Sequence, residues 1–299
     1  MDKPTRSLDR QRPATAAGND SDEPTLPGGL AGNGLQAILT LLGKAVRHPD
    51  RALLRLLLRG RLARTSLSEE RARLLRWVSA QFGVDAQALH AEYVTSGFRR
   101  EFAARRRELW EYTGPQRLGT SDPLSHEALY LVVRAARPRV VIETGVLYGA
   151  ASAHILAALA RNGEGELFSI DLPHQPEELP HDFLVPHELR ERWTLIVGDS
   201  RRELPTLVDR LGAIDMFHHD SLHTFEHMTW EFETVFPRLN PDGVLSSHDV
   251  RIAHSVREIF RRNAFQVFCE RQGLRWSTYH NSGLAALADA PVATPEGGS

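Results

Sequence analysis

Two short stretches of the sequence place acids and histidines directly after apolar runs. Asp220 and His223 follow one such run, and His248 and Asp249 follow the next. Both runs have the length and composition of buried strands, and the carboxyl ends of neighbouring parallel strands meet at one edge of a sheet. Carboxylates at such an edge can hold a divalent cation, and an imidazole can remove a proton near neutral pH. The sequence therefore predicts a reactive cluster of these four residues.

An earlier apolar run ends in a glycine-rich turn. The β-branched stretch 140–142 leads into residues 143–149, Glu-Thr-Gly-Val-Leu-Tyr-Gly. Gly145 permits a tight turn at the end of the strand, and Gly149 permits close packing of the following helix. The N–H groups and the positive end of that helix then point into the crevice where open α/β sheets bind ligands. The spacing of the two glycines differs from the G-x-G-x-x-G string of dinucleotide-binding folds.

Two further predicted strands also end in acids. Asp171 ends the strand that begins at Glu166, and Asp199 and Ser200 follow the strand Trp193–Val197. A carboxylate in the position of Asp171 can accept hydrogen bonds from both ribose hydroxyls of an adenosine, as in NAD enzymes. Asp199 can in addition cap a helix that starts at Ser200 or at the next residue. These acids indicate an adenosyl ligand, but they do not distinguish NAD from other ligands that contain adenosine.

Strand and helix patterns alternate from Ser125 onward, which predicts βαβ units and a parallel sheet. Ser125 is the predicted N-cap of the helix before the first strand. A helix over 255–271 and two edge strands, 274–279 and 283–287, are predicted to complete the sheet, with the last strand antiparallel. The fifth strand is predicted to begin at Gly243, after a turn.

A long insert separates the second and third predicted strands. It contains His174, His181 and His187. Insertions of this length are often substrate loops or lids. The irregular spacing of the three histidines predicts solvated side chains rather than a metal site.

In this order, the motifs resemble those of class I S-adenosylmethionine (SAM) dependent methyltransferases. The glycine turn over 143–149 is similar to their motif I. The stretch after the fourth strand, Asp220-x-x-His223-x-Phe225, is similar to the signature of small-molecule O-methyltransferases of the macrocin and cephalosporin-cluster type. The turn that contains Pro241-x-Gly243 is similar to the one before their fifth strand. The resemblance covers roughly 123–289. It implies an α/β, Rossmann-like fold with a seven-stranded, mostly parallel sheet and helices on both faces. The SAM-binding residues that it implies are Glu143, Thr144, Gly145, Tyr148, Gly149, Ser152, Asp171, Asp199, Ser200 and Asp220.

The resemblance also implies a reaction, which is O-methylation of a small molecule such as a sugar or secondary metabolite by in-line methyl transfer. The implied catalytic residues are His223 and Asp220. Some relatives hold Mg²⁺ with one Asp after strand four and an acidic pair after strand five, where this chain has His248 and Asp249. A divalent metal, Mg²⁺ or Mn²⁺, bound by Asp220, His248 and Asp249 is therefore a second candidate cofactor, although the imidazole favours a softer metal or none. Without a metal His223 is the general base, and a third interpretation is that both histidines only hydrogen-bond the acids.

Composition divides the chain into four segments. Residues 1–33 are polar and are predicted to be a disordered tail, as are residues 291–299. Residues 34–118 form an all-helical region, which by resemblance covers the acceptor pocket or supports oligomerisation, and residues 119–290 form the SAM-binding catalytic domain. The basic stretch 44–64 is predicted to be a solvated helix face, with contact to a membrane surface as the alternative.

Charge and cysteine content exclude several classes of protein. The 299 residues carry a net charge of −2, which gives no general attraction to nucleic acid, and the N/D-P-P-Y/F string of base N-methylases is absent after the fourth strand. The single cysteine, Cys269, permits no internal disulfide, and no apolar run reaches the length of a membrane span. We therefore expect a cytoplasmic protein with a small-molecule partner, and a homo-oligomer is compatible with the sequence.

Two other functions share the predicted fold. An NAD-dependent oxidoreductase would use the same crevice, but the glycine string disfavours it. A non-catalytic module that binds an adenosyl ligand would retain the glycine turn and the acids while lacking the acceptor chemistry, and the histidine at position 248 is compatible with such a module.

Overall fold

The computed structural model describes residues 66–113, 123–174, 179–250 and 263–287. Its first part is helical, with α1 over Leu67–Phe82, α2 over Ala86–Thr95 and α3 over Gly97–Thr113. Helix α1 begins with a capping box, in which the Ser66 hydroxyl accepts from the N–H of Glu69 and the Glu69 carboxylate accepts from the N–H of Ser66. The sequence over 66–70, Ser-Leu-Ser-Glu-Glu, carries the Ser-x-x-Glu pattern that is typical of such a helix start.

The second part alternates strands and helices. Its helices are α4 (Pro123–Ala136), α5 (Ala150–Asn162), α6 (Ser200–Leu211), α7 (Phe225–Val235) and α8 (Ala264–Arg271), with short 3₁₀ helices at His187–Arg192 and Phe236–Arg238. Its strands are β1 (Val140–Thr144), β2 (Glu166–Asp171), β3 (Trp193–Val197), β4 (Ile214–His219), β5 (Leu239–Ser247), β6 (Arg275–Tyr279) and β7 (Ser282–Ala286).

The seven strands form one sheet in the order β3-β2-β1-β4-β5-β7-β6. Strands β1 to β5 are parallel, and β7 runs antiparallel to both β5 and β6. The sheet order reverses between β1 and β4, and this reversal is where an open α/β sheet forms its ligand crevice. The predicted Rossmann-like, mostly parallel, seven-stranded sheet with an antiparallel last strand is confirmed.

Both faces of the sheet are buried, and successive side chains of a strand point to opposite faces. In β1, Val141 packs with the cluster that includes helices α1, α2, α4 and α5, whereas Ile142 packs with the cluster that includes α6, α7 and α8. Cys269 lies in the second cluster and is fully buried. Helices therefore cover both faces of the sheet and leave the strand ends to form a site.

Hydrogen bonds to two carboxylates, Glu92 and Glu70, attach the first helices to the sheet domain. Glu92 of α2 accepts hydrogen bonds from Arg134 and Tyr130 of α4, at 2.7 Å each. The Arg134 guanidinium holds the pKa of Glu92 down at about 2. At the other end, Glu70 of α1 accepts the backbone N–H of His280, in the turn between β6 and β7, at 3.2 Å.

Three predicted boundaries are wrong. Ser125 does not cap α4, because the helix begins at Pro123 and the Ser125 hydroxyl lies in its first turn, where it accepts from Ser282 at 2.5 Å. Strand β5 begins at Leu239 instead of Gly243, because an irregularity in its pairing with β4 accommodates the residues predicted as a turn. The helix predicted over 255–271 is not continuous, since Asn263 has extended backbone and caps a helix that begins at Ala264, and the prediction for 255–262 lies outside the described residues.

The remaining predictions for segments fall on residues that the structure does not describe. These are the two tails, the part of the all-helical region that precedes Ser66, and the basic stretch 44–64. Among the described helices, none is both long enough and apolar enough to cross a membrane.

Candidate active site at the carboxyl edge of the sheet

The turn after β1 lies in direct contact with the turn after β4. Gly145 has φ of +83°, and a Cβ atom built on it would overlap the carbonyl oxygen of Asp220. The N–H of Asp220 in turn donates to the carbonyl of Thr144 at 2.8 Å. The positive φ of residue 145 and the adjacent backbone of Asp220 both exclude a side chain at this position, so the glycine turn packs directly against Asp220.

Gly149 makes a second close approach, to the insert between β2 and β3. It has φ of +81° and forms the N-cap of α5, and a Cβ atom there would lie 2.7 Å from both the His181 carbonyl and the Val185 side chain. The Tyr148 carbonyl accepts from the N–H of Leu184 at 2.9 Å. The first N–H groups of α5, which have no intrahelical acceptor, therefore start beneath a folded insert.

Asp171 has a role in the turn that sequence reasoning missed. Its Oδ2 atom accepts from the N–H groups of Val146 at 3.0 Å and Leu147 at 2.7 Å, and its Oδ1 atom accepts from the N–H of Leu172 at 2.8 Å. Leu147 has φ of +52°, which is an unfavourable backbone conformation for a leucine. The carboxylate predicted to bind a ribose thus also holds the strained glycine turn in place.

Glu143 and Ser152, both predicted to contact a cofactor, lie beneath the turn and bond to each other. The Glu143 Oε2 atom accepts from the hydroxyls of Ser152 and Ser169 at 2.6 Å each. Complete burial raises the pKa of Glu143 to about 8, against the lowering effect of these two hydrogen bonds. Its Oε1 atom is buried and has no hydrogen-bond partner among the described residues.

A second buried carboxylate, Glu231 on α7, connects several strand ends, and sequence reasoning missed it. Its Oε2 atom accepts from Thr144 and from His219, at 2.6 Å each. Its Oε1 atom lies 2.9 Å from both Ser221 and His227. Burial opposes the charge of Glu231, but the hydrogen bonds from the two imidazoles outweigh it and hold the pKa well below its usual range. The available signal was His227 and Glu231 at i,i+4 on one face of a helix that follows a strand end.

The network reaches the third strand through His227. Its Nε2 atom also lies 3.2 Å from the hydroxyl of Ser200, the first residue of α6. Asp199 is the N-cap of this helix and accepts from the N–H of Arg201 at 2.9 Å, as the sequence predicted. Asp199 is exposed at the carboxyl end of β3, and its role in binding SAM stays a prediction.

The four residues of the predicted reactive cluster come together beside the glycine turn. His223 Nε2 lies 3.6 Å from Asp220 and 3.2 Å from Asp249. His248 Nδ1 lies 3.1 Å from Asp220 and 3.2 Å from Asp249. Each imidazole therefore bridges the same two carboxylates, and we call this closed arrangement the Asp–His ring.

The chain builds the Asp–His ring with ordinary sheet contacts and one strained residue. The N–H of His248 donates to the carbonyl of His219 at 2.9 Å, which extends the pairing of β5 with β4. Asp249 has φ of +53° and its carboxylate accepts from the Asn281 amide. Burial of Asp220 raises its pKa, but the charge and hydrogen bond of His248 lower it by more, so the pKa lies below its usual range.

The insert does not match its predicted description as a loop with solvated histidines. His187 is exposed, as predicted, but His181 is buried and His174 is half-buried. The rings of His174 and His181 stack with centroids 3.6 Å apart, and His181 Nε2 lies 3.6 Å from Asp171. Their spacing in the sequence was a poor guide because the insert folds back over the glycine turn.

Comparison with known families identifies the segment that contains these residues. Residues 142–250 match a family described as a methyltransferase domain. The resemblance predicted from the motifs is confirmed for this segment. The matched residues run from β1 to just beyond β5 and include the glycine turn, Asp171 and the whole Asp–His ring.

Individual relatives are more distant. An uncharacterised protein, y4gI, of Sinorhizobium fredii is 25% identical over 130 residues, which are 40% of this chain and 14% of that protein. Among solved structures, the O-methyltransferase TomG of Streptomyces achromogenes in complex with SAM has a TM-score of 0.49 at 19% identity and covers 62% of this chain and 89% of its own. The SAH-bound methyltransferase PaMTH1 of Podospora anserina has a TM-score of 0.47 at 14% identity and covers 63% and 88%. The match to the methyltransferase domain family therefore carries more weight than any of these likenesses.

Proposed function

We propose that the protein is a SAM-dependent O-methyltransferase that acts on a small molecule. The observation that carries the proposal is the position of the Asp–His ring. Asp220, a member of the ring, is in contact with Gly145 of the turn that would hold the cofactor. A proton acceptor and a cofactor site thus lie side by side, which is the arrangement that in-line transfer requires.

The described residues fit an adenosyl cofactor. Glycine at 145 and 149 allows the turn to lie against Asp220 and against the folded insert, and the start of α5 offers N–H groups. Asp171 keeps acceptor capacity for a ribose at Oδ1, which receives a single N–H from the described residues. The buried Oε1 atom of Glu143, without a partner among the described residues, is a further polar atom at the base of the same turn, and it can donate a hydrogen bond while the carboxyl is protonated.

When bound, SAM supplies an activated methyl group on a sulfonium, so transfer breaks one C–S bond and forms one C–O bond. The chain must align the acceptor hydroxyl and take its proton. The Nε2 atom of His223 lies 3.2 Å from the Asp249 carboxylate and 3.6 Å from that of Asp220, and because carboxylates only accept, Nε2 carries the proton of the neutral imidazole. Nδ1 is then the atom that would take the proton of the acceptor hydroxyl, and the two carboxylates at Nε2–H would stabilise the imidazolium that forms.

A divalent metal bound by Asp220, His248 and Asp249 is an alternative means of removing the proton of the acceptor hydroxyl. The Nδ1 atom of His248 lies within 3.2 Å of both carboxylates, so three donor atoms converge. A set of two carboxylates and one imidazole suits Mn²⁺ better than Mg²⁺, which prefers oxygen ligands. Bound there, such an ion would lower the pKa of an acceptor hydroxyl.

The first test is calorimetric titration with SAM and with NAD, each with and without Mn²⁺ or Mg²⁺. We expect SAM to bind and NAD not to bind, because the turn lacks the G-x-G-x-x-G spacing. Absence of SAM binding under all conditions would remove the methyltransferase proposal. A requirement for Mn²⁺ in turnover, but not in SAM binding, would assign the Asp–His ring to metal binding.

The acceptor chemistry needs a second test, because a module that only binds an adenosyl ligand would pass the first. With an acceptor found by screening, Asp220→Ala and His223→Ala should each abolish most turnover, whereas His187→Ala, at an exposed histidine of the insert, should not. Turnover that survives both changes in the Asp–His ring would overturn the catalytic assignment.

A further inference from the structure

The insert and the end of β2 bring together three possible metal ligands outside the Asp–His ring. Asp171, His174 and His181 each offer one ligand atom, and these atoms lie within 4.8 Å of one another. The two imidazole rings are nearly parallel, at 20°, with centroids 3.6 Å apart. Two histidines and a carboxylate on one side of a folded loop form a donor set typical of a transition-metal site.

His174 is held in the tautomer that binds metal. Its Nδ1 atom lies 2.6 Å from the carbonyl of Leu179, which can only accept, so Nδ1 carries the proton. Nε2 is then left with a lone pair, and this atom is buried without a hydrogen-bond partner among the described residues. In metal sites, a histidine ligand usually donates its other ring N–H to a carbonyl or carboxylate, which holds the ring in its orientation.

His181 can coordinate the same ion once its Nε2 atom loses its proton. Its Nε2 atom lies 2.9 Å from the carbonyl of Leu172, to which it donates, and 3.6 Å from the Asp171 carboxylate. Coordination through Nε2 moves this proton to Nδ1 or releases it, and replaces the hydrogen bond by a bond to the metal. His181 is buried and its backbone carbonyl lies against Gly149, so the residue has little freedom to turn away.

We propose that Asp171, His174 and His181 bind a divalent transition metal, for which Zn²⁺ is the probe, and that the bound metal opposes binding of the adenosyl cofactor. Imidazole favours such an ion over Mg²⁺ or Ca²⁺. The second half of the proposal rests on the proposed function, in which the same Asp171 carboxylate accepts the ribose. Because one carboxylate cannot serve both ligands fully, each ligand weakens the other to the same extent.

The test is calorimetric titration of the metal-free full chain with ZnCl₂, followed by titration with SAM in the presence and absence of Zn²⁺. His174→Gln is the main variant, because His174 is only half-buried and its loss should leave the fold intact. His187→Ala is the matched control in the same insert, and His248→Gln separates this site from the Asp–His ring. Circular dichroism checks that each variant is folded.

We expect His174→Gln to weaken Zn²⁺ binding by about tenfold or more, and His187→Ala to leave it unchanged. Zn²⁺ should lower the SAM affinity of the wild-type protein and of His248→Gln, but not that of His174→Gln. Zinc binding that is equal in wild type and His174→Gln, or that disappears only in His248→Gln, would overturn the site. A protein that binds Zn²⁺ through His174 but never binds SAM would refute the proposed function and the antagonism while leaving the metal site standing.

Discussion

The backbone N–H of Leu147 donates to the carboxylate of Asp171 at 2.7 Å, and the two residues come from different strand ends. Leu147 has a positive φ, so the turn between β1 and α5 is strained where it meets the acid. The bond explains how a turn with leucine between its two glycines keeps its shape. Asp171 therefore has a structural role beside any role in binding.

Asp171→Asn should weaken SAM binding by about tenfold or more, because the amide keeps one acceptor oxygen in place of two and loses the charge that attracts N–H and O–H donors. Calorimetry measures the change in affinity. Asp209→Asn, at an acid of α6 whose side chain is 77% exposed, is the control for the change in charge. Equal affinities in wild type and Asp171→Asn would rule out the carboxylate as the ribose acceptor.

Gly145→Ala should abolish SAM binding, because a Cβ atom there would overlap the backbone of Asp220. Gly163→Ala is a matched control, since Gly163 also has a positive φ, of +78°, but its Cβ would have no atom within 4 Å. Gly163→Ala should lose about 1 kcal/mol of stability from backbone strain, and Gly145→Ala should lose more, because the overlap with Asp220 adds to the same strain. If both bind SAM equally well, the contact between the glycine turn and Asp220 has no part in the site.

Glu143 should make the stability of the protein depend on pH. Its folded-state pKa, about 8, lies above the ordinary value of 4.5. The stability that the protonated carboxyl contributes is therefore fully present below pH 4.5 and is lost as the pH rises to about 8, by about 1.4 kcal/mol per pH unit. Urea denaturation at pH 5, 6.5 and 8 should show the stability of wild type falling relative to Glu143→Gln. A difference between the two proteins that stays constant over this range would contradict the raised pKa.

Glu231→Gln should destabilise the fold by about 3 kcal/mol, since it removes the buried charge that two imidazoles face. Glu233→Gln is the control on the same helix, where the side chain is 48% exposed and the change should cost less than about 1 kcal/mol. Thermal unfolding followed by circular dichroism gives both values. Similar melting temperatures for the two variants would mean that the Glu231 network contributes little.

The sequence predicted features that depend on local pattern. The sheet, the glycine turn and the Asp–His ring follow from apolar runs ending in polar residues, because parallel strands bring their carboxyl ends together. The capping box at Ser66 also follows, since its two members are close in sequence. The capping of α6 by Asp199 was predictable for the same reason, because Asp199 directly precedes the helix.

Features that depend on distant contacts were not predictable from the sequence. Glu231 resembles any acid on a helix until the fold places Thr144 and His219 against it. His174 and His181 form a cluster only because the insert folds back, and Ser125 gave a capping signal although Pro123, a favoured first residue, begins the helix.

The position of β7 between β5 and β6 has a consequence for the protein as it is synthesised. When the ribosome has made β5, the parallel part of the sheet still has an unpaired edge, and the strand that covers it, Ser282–Ala286, is made last of all the strands in the described chain. Unpaired strand edges invite association with other chains, so the nascent protein should be most prone to aggregation during this interval. Cells that express the protein rapidly should therefore benefit from a chaperone that shields the edge of β5 until the final hairpin arrives.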